Sequence, residues 1–446
     1  MIFTIKAIQY TIKQLISIAF PSVEWYFEQI DEQRVEIIIF NDKKLIFSLL
    51  DNHKREQLLS KKIEPHYMLS FDERTSIPMF PLEQATCLYQ REENVITFSC
   101  DFITLPFLLL SNYDNEPIIA KDQHDRQTFK NSYNELYHAI DFPLVDHYAL
   151  LIRKAVTDNF PNITIKKRIS KLIVTHDIDE LYRFSNPYKT IKTIFGGDLW
   201  VRKNFTFFQQ SVRQLFRTLQ NRTNDPYITG LQQLIEHVQN LQRDDIEQIV
   251  FIKSLKIGES DTTYDINDPT LAKLIGYLIT KRVKIGVHGS YYTYDNLETY
   301  RQEQARLATL LQQPVTLGRQ HFLRYHRTKT LHVWQQSHLR HDYTLGFAEH
   351  EGFRCGTCHP YPIYDIENDC ISNIIEHPLI AMDGTFFKYQ HTTPETACCK
   401  MQQLYEACQQ VEGDFVILWH NTVVYREFEK WFQACFCRLF ENENYK

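Results

Sequence analysis

KLIVTHDID, residues 171 to 179, is a short apolar run that ends abruptly in Thr175, His176, Asp177 and Asp179. A run of this length bounded by polar groups reads as a buried strand with chemistry at its carboxyl end. The pattern repeats downstream in QIVFIKS (248–254), VKIGVH (283–288), VTLGRQHF (315–322), YTLGF (343–347), LIAMDG (379–384) and DFVILWH (414–420). Helical periodicity separates these runs. It is clearest from Leu297 to Leu311, where Tyr300, Leu307, Leu310 and Leu311 share a face, and from Thr396 to Val411, which Gly413 is placed to end. Strands alternating with helices imply parallel strands joined by right-handed crossovers. The expected class is therefore α/β, a distorted (β/α) barrel of about seven parallel strands over residues 168–446.

Upstream, over residues 1–165, the chain reads as a smaller β-rich α+β domain to which no role is assigned. VEIIIF (35–40) and LIFSLL (45–50) flank a hairpin turn at Asn41-Asp42-Lys43-Lys44, and NVITFS (94–99) is a further strand. The amino-terminal MIFTIKAIQYTIKQLISIAF reads as a helix of this domain, because Lys6 and Lys13 interrupt its apolar character and no small-residue cleavage site follows. Leu136, Ile140, Leu144, Leu150 and Ile152 lie at roughly helical spacing, so Tyr133 to Asp158 is expected to join the two domains. A helical insertion at about 200–243, broken at Asn224-Asp225-Pro226, separates the first two barrel strands, and its charges read as a solvated face.

Composition sets the outer limits. The 446 residues suffice for two or three domains of ordinary size, and 43% hydrophobic content with 30 Phe and 25 Tyr can bury enough apolar surface to offset the ordering entropy. The 49 Lys and Arg against 55 Asp and Glu give a net charge of −6, so no global positive field draws the chain to nucleic acid. Apolar runs stay far short of the ~18 residues of an integral membrane segment. Ten cysteines are too sparse for a disulfide scaffold, which points to reduced thiols and a cytoplasmic location. Cys355-Gly356-Thr357-Cys358 has the spacing of zinc knuckles and redox dithiols, but Cys398-Cys399 and Cys435-Phe436-Cys437 lack the matching spacing, so these read as ordinary thiols. No phosphate-binding glycine loop occurs. Oligomeric state has no signal in the sequence.

In a parallel barrel the carboxyl ends of the strands converge on one mouth. Here those ends carry Asp177 and Asp179, His288, Arg319 and His321, Asp383, and His420. Carboxylates one residue apart on a regular strand point the same way. Imidazole and carboxylate suit Zn²⁺, Co²⁺, Mn²⁺ or Fe²⁺, so Asp179 and His288 form a candidate pair of ligands that needs a third. Each piece alone also has a bland reading: turn or capping chemistry for Asp-x-Asp, a hydrogen-bonded structural role for one histidine. Their coincidence at one end of at least four strands outweighs it, because such groups are costly to bury unpaired.

These residues resemble the polysaccharide deacetylases, carbohydrate esterase family 4, with the NodB-homology fold, over about residues 168 to 425. They are most like a branch whose first motif reads Thr-His-Asp-x-Asp. The resemblance implies that Asp177 is the base that activates the attacking water and that Asp179 holds the metal. The family's second motif, His-(Ser/Thr)-x-x-His, looks like His288-Gly289-Ser290-Tyr291-Tyr292 here: His288 matches, and Tyr292 stands where a second ligand is usual. His321 is the first choice to complete the ligands, and Tyr292 is expected at the substrate. Arg319 is implied to position the base, and Asp342 to orient a catalytic histidine. His420, in Leu418-Trp419-His420, is implied to be the general acid, a role that suits a group titrating near working pH. Trp419 and Arg354, the latter in a stretch resembling a loop over the mouth, are expected to contact substrate.

The implied activity is that of a metal-dependent carbohydrate deacetylase, a hydrolase acting on C–N bonds other than peptide bonds. It would remove the N-acetyl group from an amino sugar of a bacterial polysaccharide or its precursor, using a divalent transition metal, zinc foremost. The departure at Tyr292 keeps open a catalytically inactive glycan-binding or scaffold protein of a polysaccharide-assembly system. In both cases the partner is a carbohydrate and not a nucleic acid.

Overall fold

The computed structural model describes residues 3–422 apart from 73–74, 83–86, 114–120, 202–204, 256–257, 259–260 and 262–263. Cys435 and Cys437 lie outside the described residues.

Seven strands come before residue 100: β1 (Trp25–Ile30), β2 (Arg34–Ile39), β3 (Lys43–Ser48), β4 (Tyr67–Ser70), β5 (Ser76–Met79), β6 (Tyr89–Glu92) and β7 (Val95–Phe98). β2 and β3 form the expected hairpin, with Ile39 opposite Lys43 and with Phe40 and Asn41 at positive φ in the turn. β7 runs parallel to β3, giving a five-stranded sheet in the order β1-β2-β3-β7-β6, while β4 and β5 pair separately. The amino-terminal helix spans Ile5–Ala19, started by the Thr4 hydroxyl, which accepts the Ala7 N–H at 3.1 Å. It packs on a helix spanning Leu144–Asn159, which also reaches the later part of the chain, where Cys358 N–H donates to Asp146 Oδ2 at 2.9 Å and Arg153 donates to Glu412 Oε1 at 2.7 Å.

The second sheet holds β8 (Leu172–Ile178), β9 (Ile246–Ile252), β10 (Lys284–Gly289), β11 (Leu317–Gln320), β12 (His341–Asp342), β13 (Tyr361–Asp365), β14 (Cys370–Glu376), β15 (Ala381–Met382) and β16 (Phe415–Leu418). Its order is β13-β14-β12-β11-β10-β9-β8-β16-β15, with every neighbour parallel except β13 against β14. Apart from β13, that order is the chain order wrapped into a ring and left open between β14 and β15. Across the opening the Leu379 N–H donates to Leu345 O at 3.0 Å. The expectation of seven strands is corrected accordingly: eight parallel strands form an open ring, and no closed barrel exists among the described residues.

Two further readings change. YTLGF is not a strand, because pairing ends at Asp342 and Asp342 then accepts the Thr344 N–H in a turn. VTLGRQHF is a strand only to Gln320. His321–Leu323 turn away as a 3-10 segment, with Phe322 and Leu323 both at positive φ, a conformation that costs non-glycine residues about 1–2 kcal/mol each. The break at Asn224-Asp225-Pro226 is as expected: Asp225 caps the helix Pro226–Asn240, accepting the Tyr227 N–H at 3.0 Å. That helix buries Leu231, Leu234 and Ile235 and is the crossover from β8 to β9, so only the part before the break is an addition to the ring.

The helix Pro394–Gln410 ends without the help expected of Gly413, since Glu412 takes the positive φ. Cys355 and Cys358 are free, buried thiols, as read from their spacing, but Cys398 is disulfide-bonded, against the expectation of reduced thiols throughout. Among the described residues no helix is long and apolar enough to cross a membrane.

Candidate active site

β8 delivers Asp177 at its end and Asp179 one residue beyond its last pair. Asp177 is buried, and its Oδ1 accepts from Arg319 Nη1 at 2.9 Å. Arg319 has no freedom to leave. Its Nη1 also donates to Thr175 Oγ1 at 2.8 Å, its Nε donates to Tyr343 O at 2.9 Å, and its guanidinium lies 4.7 Å from the centre of the Phe251 ring. Burial pushes the Asp177 pKa up, but His288, Arg319 and His420 outweigh it and leave the carboxyl below the ordinary range. Asp177 is an ionised, fixed acceptor.

His288, from the end of β10, has Nδ1 3.1 Å from Arg319 O. A carbonyl only accepts, so Nδ1 carries the ring proton and Nε2 keeps its lone pair. That Nε2 stands 3.4 Å from Asp179 Oδ1 and 3.5 Å from Asp177 Oδ2. Burial lowers the His288 pKa against the pull of Asp177 and Asp179. His321, just past β11, repeats the arrangement, with Nδ1 3.0 Å from Asp261 Oδ1 and Nε2 3.4 Å from Asp179 Oδ1. Asp179, His288 and His321 thus present three ligand atoms within 4.8 Å of one another. His288 Nε2 and Asp179 Oδ1 are buried without any hydrogen-bond partner, the state of atoms meant for a cation. One carboxylate and two imidazoles whose far nitrogens are held by a carbonyl and a carboxylate fit a divalent transition metal.

His420 closes the opposite side. Its Nδ1 lies 2.6 Å from Asp383 Oδ1, its backbone N–H donates to Asp383 Oδ2 at 2.7 Å, and its Nε2 is 3.7 Å from Asp179 Oδ2. Burial opposes a charge on the ring, but Asp383 and then Asp179 and Asp177 prevail and push the pKa up to about 9. At neutral pH this imidazole carries a proton that it can give away.

The cleft in front of these groups is walled by Phe322, Met382, Leu418 and Tyr389, and also by Arg126 from the amino-terminal third of the chain. Arg126 donates to Phe322 O at 2.8 Å, to Tyr389 Oη at 2.9 Å and to Asp122 Oδ2 at 2.7 Å. Sequence reasoning had no signal for Arg126. It placed Asp383 at a strand end without assigning it a role, and it passed over Lys253, although that residue lies in a run read as a strand.

Four expected site residues are not brought to the cleft. Asp342 accepts the Thr344 N–H and hydroxyl beside a buried Glu376, and burial pushes its pKa up to about 6; it orients no histidine, and Asp383 performs that task for His420. Tyr292 is half exposed and supplies no ligand; its ring packs over Gly258, where a Cβ would come within 2.8 Å. Arg354 is buried and spends its donors on Gly346 O at 3.0 Å and Gln127 Oε1 at 2.7 Å. Trp419 points into the apolar core with Phe353 and Ile417, because alternate residues of a strand face opposite sides and His420 takes the cleft side.

Comparison with known proteins gives little beyond this geometry. The sequence model of a family of unknown function (DUF7033) matches residues 3–161. No curated protein matches. Solved structures similar to the chain include two with descriptions that bear on its fold. One is a Mycobacterium smegmatis protein described as a polysaccharide deacetylase, 11% identical, covering 64% of this chain and 90% of its own, with a TM-score of 0.38. The other is a mutant of a carbohydrate esterase family 4 pseudoenzyme with restored enzymatic activity, 6% identical, covering 62% and 65%, with a TM-score of 0.29. At TM-scores below 0.5 neither likeness bears on what the site does.

Proposed function

We propose that this chain is a metal-dependent carbohydrate deacetylase that hydrolyses the N-acetyl group of an amino sugar in a bacterial polysaccharide or its precursor. The observation that carries the proposal is one cleft in which an ionised Asp177, a protonated His420 and the donor set Asp179, His288 and His321 face one another. Those three donors would hold a divalent transition metal, zinc foremost, which when bound polarises the acetyl carbonyl and acidifies water.

The chain's own groups do the rest. Asp177 Oδ1 is committed to Arg319, so Oδ2 takes the proton from the attacking water. Arg319 keeps that carboxylate ionised and aimed. His420 gives its Nε2 proton to the departing nitrogen while Asp383 holds Nδ1 and with it the ring plane. Phe322, Met382 and Leu418 offer an apolar wall for the acetyl methyl.

Acetate release from N-acetylglucosamine oligomers in the presence of Zn²⁺ or Co²⁺ tests the reading. Asp177→Asn is expected to lower the rate by about 10²–10⁴-fold, the usual worth of a positioned base. Equal inactivity of the metal-loaded protein and this variant across a broad panel of acetylated glycans would remove the enzyme reading. The inactive glycan-binding or scaffold reading is favoured by one observation, that Tyr292 stands in the family's ligand position and supplies no ligand. It predicts sugar binding without metal.

A further inference from the structure

Lys253, one residue past β9, sends a buried ammonium beside two of the three donors. Its Nζ lies 3.1 Å from His321 Nε2 and 3.6 Å from Asp179 Oδ1. Its backbone cannot drift away: the Lys253 N–H donates to Tyr264 Oη at 2.8 Å, and that hydroxyl donates to Ile178 O at 3.1 Å. Only the side chain is free to move.

The ammonium is also 3.4 Å from His321 Nδ1, so it lies against the imidazole ring. Asp261 Oδ1 is 3.0 Å from Nδ1, and Nε2 is one of the three ligand atoms that, with Asp179 and His288, a cation would share. A buried positive charge therefore already borders two of the three ligands.

We propose that Lys253 is an internal competitor for the metal: its ammonium borders His321 and Asp179, two of the three groups a divalent cation would share, so Lys253 sets how tightly the site takes up metal. The inference rests on the ligand set of the deacetylase reading. Charge acts in the same sense, because an ammonium within a few ångströms of the cation repels it in a dry site.

The test is Zn²⁺ titration of the full chain, freed of metal, against a chromophoric chelator, for the wild type, Lys253→Met, Lys253→Gln and His288→Ala. Thermal unfolding without metal identifies variants that fold. Lys253→Met and Lys253→Gln are expected to bind Zn²⁺ at least about tenfold more tightly than the wild type, a difference of ~1.4 kcal/mol. Equal or weaker binding by both variants overturns the proposal, weaker binding meaning that Lys253 acts as a ligand through a neutral amine. If the wild type binds Zn²⁺ and His288→Ala does not, while neither lysine variant gains affinity, the competitor proposal falls and the metal-site reading stands. If no form binds Zn²⁺, both fall.

Discussion

Glu303 is a carboxyl group on the buried face of the helix Leu297–Leu311, beside Tyr300 and Leu307. Burial pushes its pKa up to about 8, against the lowering effect of two hydrogen bonds from Ser290, whose N–H reaches Oε2 at 2.9 Å and whose hydroxyl reaches Oε1. The folded chain thus keeps a proton that the unfolded chain releases near pH ~4.3. A raised folded-state pKa makes this contribution complete below the unfolded value and progressively lost as pH rises toward about 8. Calorimetric melting is expected to show the wild type losing stability between pH 5 and pH 8, and Glu303→Gln losing less over the same interval. Identical pH slopes for the two proteins would contradict the assignment. Sequence pattern alone assigned Tyr300 and Leu307 to a shared face but had no reason to count Glu303 among the buried groups, since a lone glutamate between them reads as surface.

At the scale of elements, glycine placement illustrates the gap between pattern and packing. By sequence Gly413 reads as a helix stop, the role that glycine commonly plays. The stop is made one residue earlier by Glu412 at positive φ, and Gly413 is required for another reason: a Cβ there would stand 2.1 Å from Cys358 Sγ. Cys358 cannot yield easily, because its N–H donates to Asp146 Oδ2 at 2.9 Å and its thiol is fully buried. Gly413→Ala is expected to destabilise the fold by about 1–3 kcal/mol, the cost of overpacking a filled core. Urea unfolding measures it, and a change below ~0.5 kcal/mol would show that the contact relaxes freely. Strand ends show the same gap. The run VTLGRQHF has strand composition throughout, yet the chain turns at His321 and spends positive φ at Phe322 and Leu323, where the imidazole joins the site.

For the whole molecule, the amino-terminal third and the ring share one continuous apolar core. Tyr10 lies 5.0 Å from Tyr364, with its hydroxyl donating to Pro362 O at 2.9 Å, and Phe107 lies 5.4 Å from the same Tyr364. Arg126 carries the contact to the cleft itself. Residues 168–446 expressed alone are therefore expected to expose apolar surface, bind a hydrophobic dye and lack a cooperative melting transition, whereas the full chain melts in one step. A soluble fragment with a sharp transition of its own would show that the shared core is dispensable.

Local pattern was enough for the alternation of strands and helices, the hairpin at Asn41, the helix break at Pro226, and the loading of the strand ends with Asp177, Asp179, His288, Arg319, His321 and His420. Period and polarity are properties of neighbouring residues, and parallel strands bring their ends together whatever lies between them. Only the tertiary structure decided which polar groups meet: Asp383 and not Asp342 beside a histidine, Lys253 and not Tyr292 among the ligand atoms, Arg126 from a distant segment in the cleft wall. Such choices depend on strand register, on which face a side chain takes and on how the ring is left open, and each is an agreement between segments 37 to 196 residues apart that no local run encodes.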